Sequence, residues 1–79
     1  MKRFITIQKF VNYSSFEDCF DKIIIAVRCA ATNTVIFQRK YYLEDYEEDY
    51  IRGIAEYMAE DLGCEVKELP TIHPDKDEF

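Results

Sequence analysis

FEDCFDKIIIAVRCAA, residues 16–31, can be read in two ways, and the choice decides the fold. Wound as a helix, Phe16, Cys19, Phe20, Ile23, Ile24, Val27, Ala30 and Ala31 share one continuous face, and only Ile25 and Cys29 fall on the polar side. Extended, residues 22–30 make a short, β-branched strand. Three consecutive isoleucines favour the strand, because branching at Cβ restricts χ1 in a helix and suits a pleated surface. Thr32-Asn33-Thr34 then supplies a hairpin loop, with Asn33 able to take the left-handed conformation that a tight connection needs. The expectation is one helical turn near residues 15–21, signalled by Ser15 and Asp18, followed by a hairpin of strands 22–30 and 34–43. The alternative is a second helix at 16–31 in place of strand 22–30.

The flanking segments are clearer. Residues 3–11 alternate, with Arg3, Ile5, Ile7, Lys9 and Val11 on one side and Phe4, Thr6, Gln8 and Phe10 on the other. Val35 to Leu43 alternates in the same way. Within residues 44–62, Ile51, Ile54, Ala55, Met58 and Leu62 recur at helical spacing as a core face. Asp45 with Glu48 suggests a capping box at its start, and Gly63 is placed to cap its end. Residues 64–69 read as a last short strand, closed by Pro70. The expected fold is α+β: a small antiparallel sheet of about four strands (3–11, 22–30, 34–43, 64–69) packed on one long helix (44–62). Residues 1–69 would form a single compact domain, and the proline- and charge-rich residues 70–79 a mobile C-terminal tail.

The chain has 79 residues, and a domain of this size is marginally stable on its own. Six Phe and six Tyr add burial, and a homodimer would add more. The longest apolar run, Ile23 to Val27, is far short of the ~20 residues of a membrane span. Lys2 and Arg3 are followed by no uninterrupted apolar stretch, so no signal peptide is expected. Cys19, Cys29 and Cys64 are odd in number and lie among apolar neighbours, which fits buried, reduced thiols in a cytoplasmic protein.

The sequence holds little that points to catalysis. Gly53 and Gly63 cannot build a phosphate-cradling loop. His73 is the lone histidine, and no close pair of cysteines accompanies it, so no metal site is expected. Asp45, Glu47 and Asp49 imitate a calcium loop, but Tyr50 stands where the turn needs glycine. Ser14 and Ser15 lack a base. The expectation is a protein that is not an enzyme and uses no cofactor.

Charge carries the information. The net charge of −6 hides a split: residues 1–42 carry seven bases against three acids, and residues 43–79 three bases against thirteen. Residues 44–62 alone hold eight acids and one base, Arg52, a net of −7. Over a helix of about 28 Å that is roughly one charge per 4 Å, close to the one per ~3.4 Å of a single nucleic-acid strand. Asp45–Asp49 and Glu56–Glu60 are like-charge i, i+4 pairs, which do not serve stability. Beside the acids, Tyr46, Tyr50, Gly53 and Tyr57 follow one line, and tyrosines bounded by charge make good interface anchors. The competing reading packs these tyrosines on the sheet's edge, with Gly53 letting the helix sit close. The candidate partner-binding residues are Asp45, Tyr46, Glu48, Asp49, Tyr50, Glu56, Tyr57 and Glu60.

Two function classes follow. The first is an interaction module that docks this helix on a basic, nucleic-acid-binding surface of a partner protein, as a mimic or inhibitor. In size and charge the chain is similar to phage-encoded inhibitors of host defence, including anti-CRISPR proteins; an immunity protein to a basic toxin would look the same. No direct contact with nucleic acid and no membrane binding is expected of this class. The second is a nucleic-acid-binding or regulatory module using a basic and aromatic sheet face, drawn from Lys2, Arg3, Lys9, Arg28, Arg39 and Lys40 with Phe4, Phe10, Tyr41 and Tyr42. Strand alternation splits those cations between two faces, and the negative net charge opposes phosphate binding.

Overall fold

Residues 22–29 form a strand, so the isoleucine run is extended and divided between two faces of a sheet. The computed structural model describes residues 2–11 and 21–73. Its elements are β1 (Arg3–Phe10), β2 (Lys22–Cys29), β3 (Val35–Tyr42), α1 (Glu48–Leu62) and β4 (Val66–Glu68). The alternative helix is excluded over 22–29, and the helical turn expected near 15–21 falls almost wholly outside the described residues.

The four strands lie in the order β3-β2-β1-β4. β1 pairs antiparallel with β2, and β2 with β3. β4 pairs parallel with β1, so the sheet is mixed where a wholly antiparallel one was expected. Topology is the reason. β3 runs parallel to β1 across β2, and α1 carries the chain from one edge over the sheet to the other, as a parallel crossover requires. Asn33, at φ 61°, takes the expected left-handed position in the β2–β3 hairpin. Its amide donates to the Cys29 carbonyl at 2.7 Å. A bulge between Val27 and Arg28 offsets the β2–β3 register.

Residues directly opposite across paired strands share a face. The face under α1 carries Ile5 and Ile7, Ile23, Ile25 and Val27, which close with Ile51, Ala55 and Ala59 of the helix into the core. Burying four isoleucines of this size at about 1.5–3 kcal/mol each is the main term that holds helix to sheet. Ala59 is buried where the spacing favoured Leu62, which stays exposed. The helix rests on β1, β2 and β4 and leaves β3 largely uncovered. Val35, Ile36 and Phe37 are accordingly exposed on that edge strand.

The helix starts at Glu48, four residues later than expected, because residues 43–46 turn away from β3. Glu47 is its N-cap and makes no side-chain capping bond, so the Asp45–Glu48 box does not form. Gly63 closes the other end at φ 68°, its amide directed to Glu60 O at 3.3 Å. Residues 70–73, placed by the sequence in a mobile tail, are tied to β1. Ile72 N donates to Lys9 O and Val11 N to Ile72 O, both at 2.9 Å, and Gln8 Nε2 donates to Pro70 O at 2.9 Å. Residues 74–79 lie outside the described residues.

Candidate functional site

The core turns Ile51, Ala55 and Ala59 inward, so helical spacing sends Asp49, Gly53, Glu56 and Glu60 to the opposite, outer ridge. All four are exposed. Asp49, Glu56 and Glu60 have no ion-pair partner among the described residues. Tyr50 and Tyr57 flank the ridge, 59% and 73% exposed. Gly53 lies between them, and a Cβ added there would meet nothing within 4 Å. The helix therefore does not need glycine at 53 in order to sit close to the sheet. The gap faces solvent.

Tyr46 is not on the helix. It sits in the turn before it and stacks on Tyr50, ring centroids 5.8 Å apart and planes 8° from parallel. Tyr41 of β3 meets Tyr46 edge-on at 5.5 Å. Tyr41 in turn packs on the core. The three rings thus anchor the helix entrance to the sheet, which is the structural reading of the tyrosines, and it holds for Tyr46. Tyr57 makes no ring contact or hydrogen bond among the described residues.

Glu48 also departs from the expected site. Its carboxylate accepts from Lys9 Nζ at 3.2 Å and from Arg52 Nε and Nη2 at 3.1 and 3.0 Å. Arg52 reaches on to Glu68 of β4 with two parallel bonds, 3.1 and 2.8 Å. The Arg52 hydrogen bonds, then that of Lys9, hold Glu48 below its ordinary carboxylate pKa. Arg52 does the same for Glu68, and the two carboxylates raise Arg52 further. Glu48 is therefore a brace between helix and strands. Of the expected partner-binding residues, the structure brings Asp49, Tyr50, Glu56, Tyr57 and Glu60 onto one surface. It leaves Asp45 and Tyr46 in the adjoining turn and spends Glu48 internally. With five acids and Arg52 over about 22 Å, the helix carries roughly one net charge per 5–6 Å, thinner than the longer helix implied.

Among the described residues, no helix packs on the other side of the sheet. Its rows run Phe10–Lys22–Tyr42, Gln8–Ile24–Lys40, Lys67–Thr6–Ala26–Gln38 and Phe4–Arg28–Val35. Each row carries one cation, and no acid stands on this face within the four strands. Arg3, Lys9 and Arg39 lie on the helix side, so the strand alternation was read correctly for them. Lys22 and Lys67 were not singled out, because only the pairing of β2 and β4 with β1 places them here. Lys22 stands over Phe10 at 5.9 Å, Lys40 over Tyr42 at 5.7 Å and Lys67 over Phe4 at 4.8 Å. Arg28 donates to Thr6 Oγ1 at 3.3 Å and to the Asn33 carbonyl at 3.2 Å. A hollow of about 130 Å³ opens among Thr6, Gln8, Phe10, Ile24 and Arg28.

Cys29 and Cys64 are free and half-buried, less enclosed than their apolar neighbours suggested; Cys19 lies outside the described residues. The Thr32 amide and hydroxyl and the Ala31 amide lower the Cys29 pKa. No described group of His, Cys, Asp and Glu could hold a metal ion. No helix among the described residues is long and apolar enough to cross a membrane. Compared with known proteins, the chain matches no family model, no curated protein and no solved structure.

Proposed function

We propose that this protein is a small interaction module whose outer helix ridge docks on a basic surface of a partner protein. The carrying observation is Gly53. A glycine in a helix interior costs about 1 kcal/mol relative to alanine, and here no close approach within the protein explains it. It opens a gap between the exposed Tyr50 and Tyr57, where a partner's side chain or backbone can enter. Asp49, Glu56 and Glu60 border the gap with charges that nothing described neutralises. Aromatic anchors around a cleft, rimmed by like charge, suit a partner of the opposite sign.

Surfaces of that sign are commonest where proteins hold nucleic acid, so the concrete form is an inhibitor of a nucleic-acid-binding protein, acting in the cytoplasm, of the phage anti-defence kind. The thinner charge density of the observed helix favours docking through tyrosines and acids together over simple imitation of a phosphate backbone.

The test compares the wild type with a variant carrying Asp49→Lys, Glu56→Lys and Glu60→Lys. Pull-downs from host lysate should recover a basic protein with the wild type, released by salt and by added nucleic acid. The triple variant should hold it at least tenfold more weakly. Equal affinity in the variant would sink the reading.

A further inference from the structure

We infer that the sheet face opposite α1 is a second binding surface, and that its occupant is a single strand of nucleic acid. The inference does not rest on the helix reading. It rests on four cations and three rings on a sheet face that carries no acid within its strands; Lys40 and Lys67 are exposed, Lys22, Arg28 and the rings half-buried, and Thr6 and Ala26 between them buried.

Lys22, Arg28, Lys40 and Lys67 occupy four successive rows of that face, one in each. A polyanion can therefore cross the sheet without meeting a carboxylate within the strands. Glu65, just before β4, forms an ion pair with Lys67 at 3.8 Å, so that cation is partly neutralised at the sheet's edge. Beside Phe4, a larger hollow of about 550 Å³ has Lys2, Arg3 and Lys67 on its rim, with Glu65 again the one acid. This hollow lies at the sheet's end, where Leu62, Gly63 and Cys64 at the close of α1 also line it.

The rings decide which polyanion. Phe4 and Phe10 stand at the two ends of β1, about 20 Å apart at the rise of a strand, and Tyr42 lies two strands from Phe10, about 10 Å away. Each ring already holds a lysine close by. Alternating cations and rings on an open sheet match a strand whose phosphates and unstacked bases are both available. A duplex hides its base faces, and an acidic peptide has none.

The net charge of −6 does not prevent this. The acids of the outer ridge stand across a helix about 10–12 Å thick and then the sheet itself. That exceeds the screening length of about 8 Å at physiological ionic strength. The strand on the sheet face meets the local charge.

Fluorescence anisotropy with labelled oligo-dT and oligo-rU of about 12 nucleotides, within the ~4–16 that one small β domain covers, tests the inference. Binding at low salt is expected. With four phosphates engaged, raising salt fourfold should weaken it by about 50-fold. Lys40→Glu and Lys67→Glu should each reduce affinity at least tenfold, Lys40→Gln less so, and Tyr42→Ala at least fivefold, with circular dichroism confirming that each variant folds. The helix triple variant should bind the oligonucleotide as well as the wild type or better, which separates this surface from the docking ridge. No binding at low salt would overturn the inference. So would equal affinity for duplex or for base-free polyphosphate, or indifference to Lys40→Glu. Concentration-dependent oligomers dissolved by Lys40→Glu, without oligonucleotide binding, would assign the face to a second copy of the chain instead.

Discussion

Arg52 and Glu68 are joined by two parallel hydrogen bonds, Nη1 to Oε1 at 3.1 Å and Nη2 to Oε2 at 2.8 Å, which fasten the helix to the edge strand β4. Glu48 extends the chain of charges to Lys9 on β1. A three-residue strand such as β4 has few pairing bonds of its own. The guanidinium adds a polar tie on the β1–β4 side of the sheet to the isoleucine burial that seats the helix.

Arg52→Met should destabilise the domain by about 1 kcal/mol. This is the upper end for partly exposed ion pairs, reached because the contacts are bidentate and networked. Urea unfolding in low and high salt checks it, and the difference between wild type and variant should shrink as salt rises.

Acid should weaken the same brace. Glu48 is held below its ordinary value of 4.5 in the folded protein, mainly by Arg52 and then by Lys9. A depressed folded pKa contributes stability that is complete above the unfolded value and is lost as pH falls through the folded one. Stability should therefore decline below about pH 5, and Glu48→Gln should flatten that decline. Urea midpoints taken between about pH 7 and 3 measure it; parallel profiles for the two proteins would refute it.

The two glycines should respond with opposite sign. Gly53→Ala enters open space in a helix and should stabilise by about 0.5–1 kcal/mol, raising the melting temperature by about 2–8 °C. Gly63→Ala is forced into a left-handed backbone and should destabilise by about 1–2 kcal/mol. If the docking ridge is used as proposed, Gly53→Ala should also lose partner affinity while gaining stability, a split that thermal melts and binding assays read separately.

Cys29 should alkylate faster than Cys64 near neutral pH. Its lowered pKa gives more thiolate, the reactive form, whereas Cys64 packs against the core. Timed iodoacetamide labelling read by peptide mass spectrometry compares the two, and Thr32→Val should slow Cys29 selectively. Equal rates would count against the hairpin amides as the cause.

Much of the local structure was legible in the residues. The isoleucine run chose a strand because Cβ branching disfavours the helix. Asn33 and Gly63 took the left-handed positions that their chemistry permits. What misled was the boundary at Glu44. The acids there read as a helix start, yet residues 43–46 turn, and Tyr46 stacks on Tyr50 and meets Tyr41 edge-on in a bridge that no periodicity encodes. The Glu48–Arg52 pair follows from i, i+4 spacing within the helix, but Lys9 of β1 and Glu68 of β4 join that pair only in the folded chain.

The sequence by itself determined the element types, the core isoleucines and the concentration of acid in the second half of the chain. These follow from contacts within a few residues, where side-chain spacing and backbone preference act alone. Tertiary structure decided the rest. The parallel seating of β4 carried Lys67 beside Thr6 and over Phe4, and the pairing of β2 between β1 and β3 set Lys22 between Phe10 and Tyr42. Lys22, Arg28, Lys40 and Lys67 were thereby gathered on the sheet face opposite α1, while Arg3, Lys9 and Arg39 fell on the helix side. Strand order and register are long-range choices made by burying the shared isoleucine face, and no local pattern records which strand will be a neighbour.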